Sequence, residues 1–98
     1  MSFVWNVTIR KTPQGYEYDP QQLEDVEIGD QVVWANDDDI PHWPALLTTT
    51  GIVDDYFMPF QIAPHTPSGA FVPGVAGTLT FVDSLDPEGP QGTIAVGS

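Results

Sequence analysis

The chain has 98 residues, enough for one domain with one compact core and no second lobe. It carries 14 acidic residues against two basic ones, Arg10 and Lys11, for a formal net charge of −12. Phosphate backbones are repelled, which nearly excludes nucleic acid, and an anionic membrane surface is disfavoured for the same reason. No run of about 18 apolar residues is present to insert into a bilayer.

The apolar share of 41%, with five Phe, three Tyr and three Trp, is richer than a disordered chain would be. The acids are scattered, as on a solvated surface, and long-range attraction leaves room for a cationic protein partner. There is no cysteine, so neither a disulfide nor a thiolate metal ligand can form, and redox chemistry does not mark the compartment. The start, Met1 to Val7, lacks a basic segment followed by an apolar one, so no export signal is expected in the chain as given. A trimmed chain would be periplasmic or extracellular, and an untrimmed one cytoplasmic.

Phe3 to Arg10 alternates, with Phe3, Trp5, Val7 and Ile9 on one face, as in a half-buried strand. Pro13-Gln14-Gly15 is a turn, and Tyr16 to Asp19 a short edge strand ended by Pro20. Leu23, Val26 and Ile28 lead to a turn at Gly29-Asp30. Gln31 to Ala35 is the strongest β run, broken by Asn36 to Asp39. Ile40 to Pro64 is irregular, and its prolines argue against a long helix. Within it, Asp54 to Phe60 is expected to hold one short strand or turn. Ala70 to Val72 begins a hairpin that turns at Pro73-Gly74 and returns over Gly77 to Val82. Gly92 to Val96 is the closing strand. Short strands with regular turns predict an all-β sandwich or barrel.

Three segments, in order, resemble the cupredoxins, the plastocyanin- and azurin-like proteins. The first is Tyr18-Asp19-Pro20 with Val26 to Asp37 (Val-Glu-Ile-Gly-Asp-Gln-Val-Val-Trp-Ala-Asn-Asp) and then His42. It is similar to the family's aromatic-x-Pro, its Gly-Asp-x-Val-x-aromatic-x-Asn and its first copper-ligand histidine. The second, Gly77 to Pro87, resembles the strand that ends in the ligand cysteine and is followed by His-Pro. The third, Gly92 to Val96, resembles the closing strand. The resemblance implies a single Greek-key β-sandwich of the cupredoxin type over residues 1–98.

The departures from that pattern carry the functional reading. A blue-copper centre uses two histidines, a cysteine thiolate and a weak axial ligand. His42 matches the first histidine. Asp83 stands in the cysteine position, Asp86 in that of the second histidine, and Gly89 or Pro90 in that of the axial methionine. Electron transfer is therefore not carried over.

In a Greek-key sandwich the ends of the Gln31 and Thr78 strands and the start of the Ala70 strand share one pole. His42, His65, Asp83 and Asp86 are the candidate metal set there, a donor set suited to Zn²⁺ or to colourless Cu²⁺. Against it stands the reading that His42 caps a loop, His65 lies on the surface, and the acids bond loop amides. The Asp37-Asp38-Asp39 run lacks EF-hand spacing and reads as a solvated loop. Trp43, Pro44, Leu46, Leu47, Tyr56, Phe57, Pro59 and Phe60 are expected mostly in the core. Trp43 and Leu46 are the candidate partner surface, since the resemblance implies an apolar docking patch beside the ligand histidine.

Three functions are compatible with these residues. The first is a non-redox binding or structural module, not an enzyme, acting through an unidentified protein partner; under it, His42→Ala should leave stability little changed. The second is a non-blue Cu²⁺ or Zn²⁺ protein. The third is a hydrolase using Asp83 and Asp86, which would need an enclosed cleft between them.

Overall fold

The computed structural model describes residues 2–97 and is all-β, in two mixed sheets. The first sheet has the order β2-β1-β4-β7, with β1 over Val4–Thr12, β2 over Gly15–Asp19, β4 over Gln31–Asp37 and β7 over Thr66–Pro67. The second has the order β3-β9-β8-β5-β6, with β3 over Gln22–Glu27, β5 over Pro44–Thr48, β6 over Gly51–Val53, β8 over Gly77–Asp83 and β9 over Asp86–Gly97. This bears out the expected sandwich. β1 runs parallel to β4, with Val7 opposite Trp34, and β3 runs parallel to β9.

Alternation drives the packing. Val7, Ile9, Val32 and Trp34 point inward from the first sheet, and Leu23, Val26, Phe81, Ile94 and Val96 from the second. Trp34 and Phe81 meet edge to face at 5.4 Å between ring centroids, and Tyr18 lies 4.8 Å from Phe81 in the same manner. The face expected to hold Phe3 is half-buried at Trp5 and buried only from Val7 onward; Phe3 itself is exposed and rests edge-on against Trp5.

Several expectations change. The Ala70–Gly77 hairpin does not form. Phe71 instead exchanges both backbone hydrogen bonds with Val32, each 2.8 Å, and Ser68 N–H donates to Trp34 O at 2.7 Å. Residues 66–71 thus cover the open edge of β4, and β8 pairs with β5 and β9. The irregular middle contains a β5–β6 hairpin, masked in the sequence by Pro44 and by its short second strand. Phe57 enters the core, but Tyr56 and Phe60 are exposed. The closing strand extends back to Asp86.

Phe81 sits opposite Gly92 on the neighbouring strand, and its ring occupies the space that a Cβ at residue 92 would need. A methyl there must displace the central aromatic of the core. Gly92→Ala is predicted to cost about 2–3 kcal/mol, measured by chemical denaturation. Gly97→Ala, where a Cβ meets open space, is the control and should change stability by less than about 0.5 kcal/mol.

Candidate functional site

β4 and β8 end at the same pole, and the chain returns past it between them. His42 is held there by a backbone bridge to Ile62, with Ile62 N–H donating to His42 O at 2.7 Å. Its ring is fully buried. Nδ1 lies 2.5 Å from Asp83 Oδ2, and Nε2 lies 2.8 Å from Asp38 Oδ2. Asp83, also buried, accepts two further bonds at Oδ1, from the amides of Trp43 and Leu85, each 2.9 Å. Both ring nitrogens face carboxylates, so both bonds form together when the ring carries two protons.

Burial alone would favour the neutral ring. The hydrogen bonds that the ring donates to Asp83 and Asp38, and then their charges, outweigh it and raise the His42 pKa above its ordinary value. Burial likewise pushes the Asp83 carboxyl up. The His42 bond, the Trp43 and Leu85 amides and the imidazolium charge outweigh it and hold the carboxyl below the usual range. The site is a buried imidazole between two buried carboxyl groups, whose hydrogen bonds favour its protonated form.

Asn36 fixes the loop that delivers Asp38. Its Oδ1 accepts from Asp38 N–H at 2.9 Å, while its amide donates to Ile40 O at 2.9 Å and Ile62 O at 3.1 Å. On the open side, the Tyr16 ring lies 4.4 Å from the His42 ring between centroids. The Tyr16 hydroxyl donates to Asp86 Oδ2 at 3.0 Å. Burial first, then the Asp83 and Asp86 charges, push the Tyr16 pKa up, so the phenol stays protonated. A Cβ at Gly89 would collide with Asp86 Oδ2 and the Tyr16 hydroxyl. Asp83 pairs directly with Asp86, leaving only Ser84 and Leu85 in the turn between β8 and β9.

Of the candidate metal set, only His42 and Asp83 are in direct contact. Asp86 is bonded to Tyr16, and His65, exposed and with φ 59°, is bonded through Nε2 to Asp39 at 2.9 Å. Trp43 and Leu46 are half-buried and pack against the core, and the Trp43 indole N–H donates to Met58 O at 3.2 Å. Asp38, read as part of a solvated loop, is buried on His42. The sequence carried no signal for that; only the Asn36 bonds turn Asp38 inward.

The residues do not fit a blue-copper ion, because no thiolate is present. Nor does the His42–Asp83 pair, as placed, fit a bridging Zn²⁺ or Cu²⁺. Two ligands on a tetrahedral ion at about 2.0–2.2 Å stand about 3.3 Å apart, and the 2.5 Å between Nδ1 and Oδ2 admits a proton only. Among the described residues, no group of three or more His, Cys, Asp or Glu side chains is disposed to hold a metal ion.

Removing the ring leaves two buried carboxylates uncompensated. The expectation that His42→Ala is harmless therefore gives way to a predicted loss of about 3–5 kcal/mol. The pH dependence follows from both shifts. The raised His42 pKa gives stability that is full below about pH 6.5 and lost as pH rises through the native value. The lowered Asp83 pKa gives stability present above about pH 3.9 and lost as pH falls through the native value. Thermal unfolding should therefore show a maximum between about pH 4 and 6.5 and a decline toward pH 9, with the alkaline decline reduced in Asp83→Asn, where Asp38 still favours the charged ring, and kept in His65→Gln.

No protein-family model matches the chain, and no curated protein does. Solved structures do. A novel purple cupredoxin from Nitrosopumilus maritimus superposes with a TM-score of 0.79 at 21% identity, covering 95% of this chain and 99% of its own. Amicyanin from Paracoccus versutus gives 0.73 at 21% identity, covering 96% and 81%. A reduced amicyanin variant gives 0.72 at 20% identity, covering 96% and 82%. With the sheet order, the His42 pole and these superpositions together, the chain has the cupredoxin fold, built without a cysteine.

Proposed function

We propose that the chain is a redox-inert module on the cupredoxin fold, in which the former metal pole has become a structural ion pair beneath a docking surface. One observation carries this reading: the 2.5 Å hydrogen bond between His42 Nδ1 and Asp83 Oδ2, too short to admit a metal between the two atoms. The tight β8–β9 turn and the Tyr16–Asp86 bond, which close over the pair, support it.

The same geometry supports a non-enzymatic role. Asp83 is buried and accepts three bonds, from His42 and two amides, which turns it away from any substrate in solvent. The loops bracketing the pair expose apolar side chains, Ile40 and Leu85, each two residues from His42 or Asp83. Trp43, next to His42 in the chain and half-buried, adds an aromatic edge. A rigid apolar rim over a buried charge pair suits association rather than chemistry.

Calorimetric and optical titration of the metal-free protein with Cu²⁺ and Zn²⁺ near neutral pH tests the reading. It predicts no tight stoichiometric uptake, no intense blue or purple colour, and no change in the residual heat on Asp83→Asn. Stoichiometric binding abolished by His42→Gln would overturn it in favour of a non-blue metal protein.

A further inference from the structure

The chain has two Lys and Arg residues and two His, and all four lie at the His42 pole in contact with carboxylates. Arg10 is bonded to Asp19 at 2.8 Å, Lys11 to Asp39 at 2.8 Å, His42 to Asp38 and Asp83, and His65 to Asp39. The opposite pole, where β1 and β4 begin and β3 ends, receives no basic side chain. There Phe3, Trp5, Asp25, Glu27 and Asp30, with Ser2, line a cavity of about 450 Å³.

Its walls are specific. The Phe3 and Trp5 rings stand at 83°, with centroids 5.5 Å apart, and form a corner. Phe3 is 68% exposed, so its aromatic surface is not spent on the core. Beneath them Asp30, 3% exposed, accepts bonds of 3.0 Å from Trp5 Nε1–H, Phe3 N–H and Glu27 N–H. These donors, the Trp5 indole first, hold its carboxyl below the usual range, so it is a fixed negative charge that no Lys, Arg or His side chain pairs. Asp25 and Glu27 point outward from β3.

Aromatic faces attract cations through their quadrupole, and adjacent carboxylates add a charge that a neutral apolar ligand would not use. A corner of two perpendicular rings encloses a compact ammonium, whereas a planar guanidinium stacks flat on one ring. The apolar walls cover a methylene stem. We propose that this corner docks a lysine side chain of a partner protein, with its ammonium between the Phe3 and Trp5 rings and the Asp25 and Glu27 carboxylates. The proposal is independent of the docking surface at the His42 pole.

The test is an NMR titration of the ¹⁵N-labelled full chain at low salt with capped Gly-Lys-Gly, its trimethyllysine form, its norleucine form, and tetramethylammonium ion. The expected result is saturable movement of the Trp5 indole and Phe3 amide signals with both lysine peptides, in the millimolar range, and none with norleucine. Phe3→Ala should weaken binding about three- to fivefold. Asp25→Asn with Glu27→Gln should weaken it similarly and flatten its salt dependence. Signals elsewhere report that these surface variants remain folded. An equal response to norleucine, no saturable response at tens of millimolar, or binding unchanged in Phe3→Ala would overturn the proposal. Tetramethylammonium binding as tightly as the peptides would assign the corner to a free organic cation and overturn the docking of a protein partner.

Discussion

A charged imidazole sealed between two carboxylates is the interaction on which the working end of this molecule depends. A buried charge is tolerated only when it is paired and hydrogen-bonded. His42 meets that condition through Asp83 on one nitrogen and Asp38 on the other. Each carboxylate is in turn fixed by backbone: Asp83 by the amides of Trp43 and Leu85, Asp38 through the Asn36 side chain. The pair therefore ties together the loop after β4, the bridge at Ile62 and the β8–β9 turn. A metal ion would do this with coordination bonds; here protons do it.

The substitution at the cysteine position alone does not produce this arrangement. A carboxylate there has two oxygens, and one turns toward His42 while the other collects two amides. The two-residue β8–β9 turn places Asp86 against the Tyr16 hydroxyl, and the Tyr16 ring lies tilted beside the imidazole. Gly89 leaves room for the Tyr16–Asp86 bond because any side chain would collide with it. The absence of a thiolate, the buried carboxylate at residue 83 and the aromatic cover of Tyr16 all act in one direction, toward a closed pole.

Much of the fold was legible because its signals are local. The alternation of Val7 and Ile9, and of Val32 and Trp34, marks inward faces, and the order of the cupredoxin-like segments fixes the topology. The pairing of His42 with Asp83, which are 41 residues apart, was legible only through that topology. The Ala70 hairpin misled because Pro73-Gly74 is a turn signal, while the real partner of Phe71 is the distant Val32. Asp38 was missed because three consecutive acids read as a solvated loop, and nothing local shows that Asn36 draws the middle one inward. The distribution of the basic residues was also hidden. Arg10 and Lys11 sit on β1, and only the parallel pairing with β4 shows that they gather at one end and leave the other without a basic side chain.

The central claim is that protons, not a metal, join His42 to its carboxylates. It is tested most directly by ¹⁵N NMR of the His42 imidazole in the protein at neutral pH. The account predicts that both ring nitrogens are protonated, with an Nδ1 proton shifted far downfield and exchanging slowly. A neutral ring with one bare nitrogen, or a ring whose signals move on addition of stoichiometric Cu²⁺ or Zn²⁺, would contradict it.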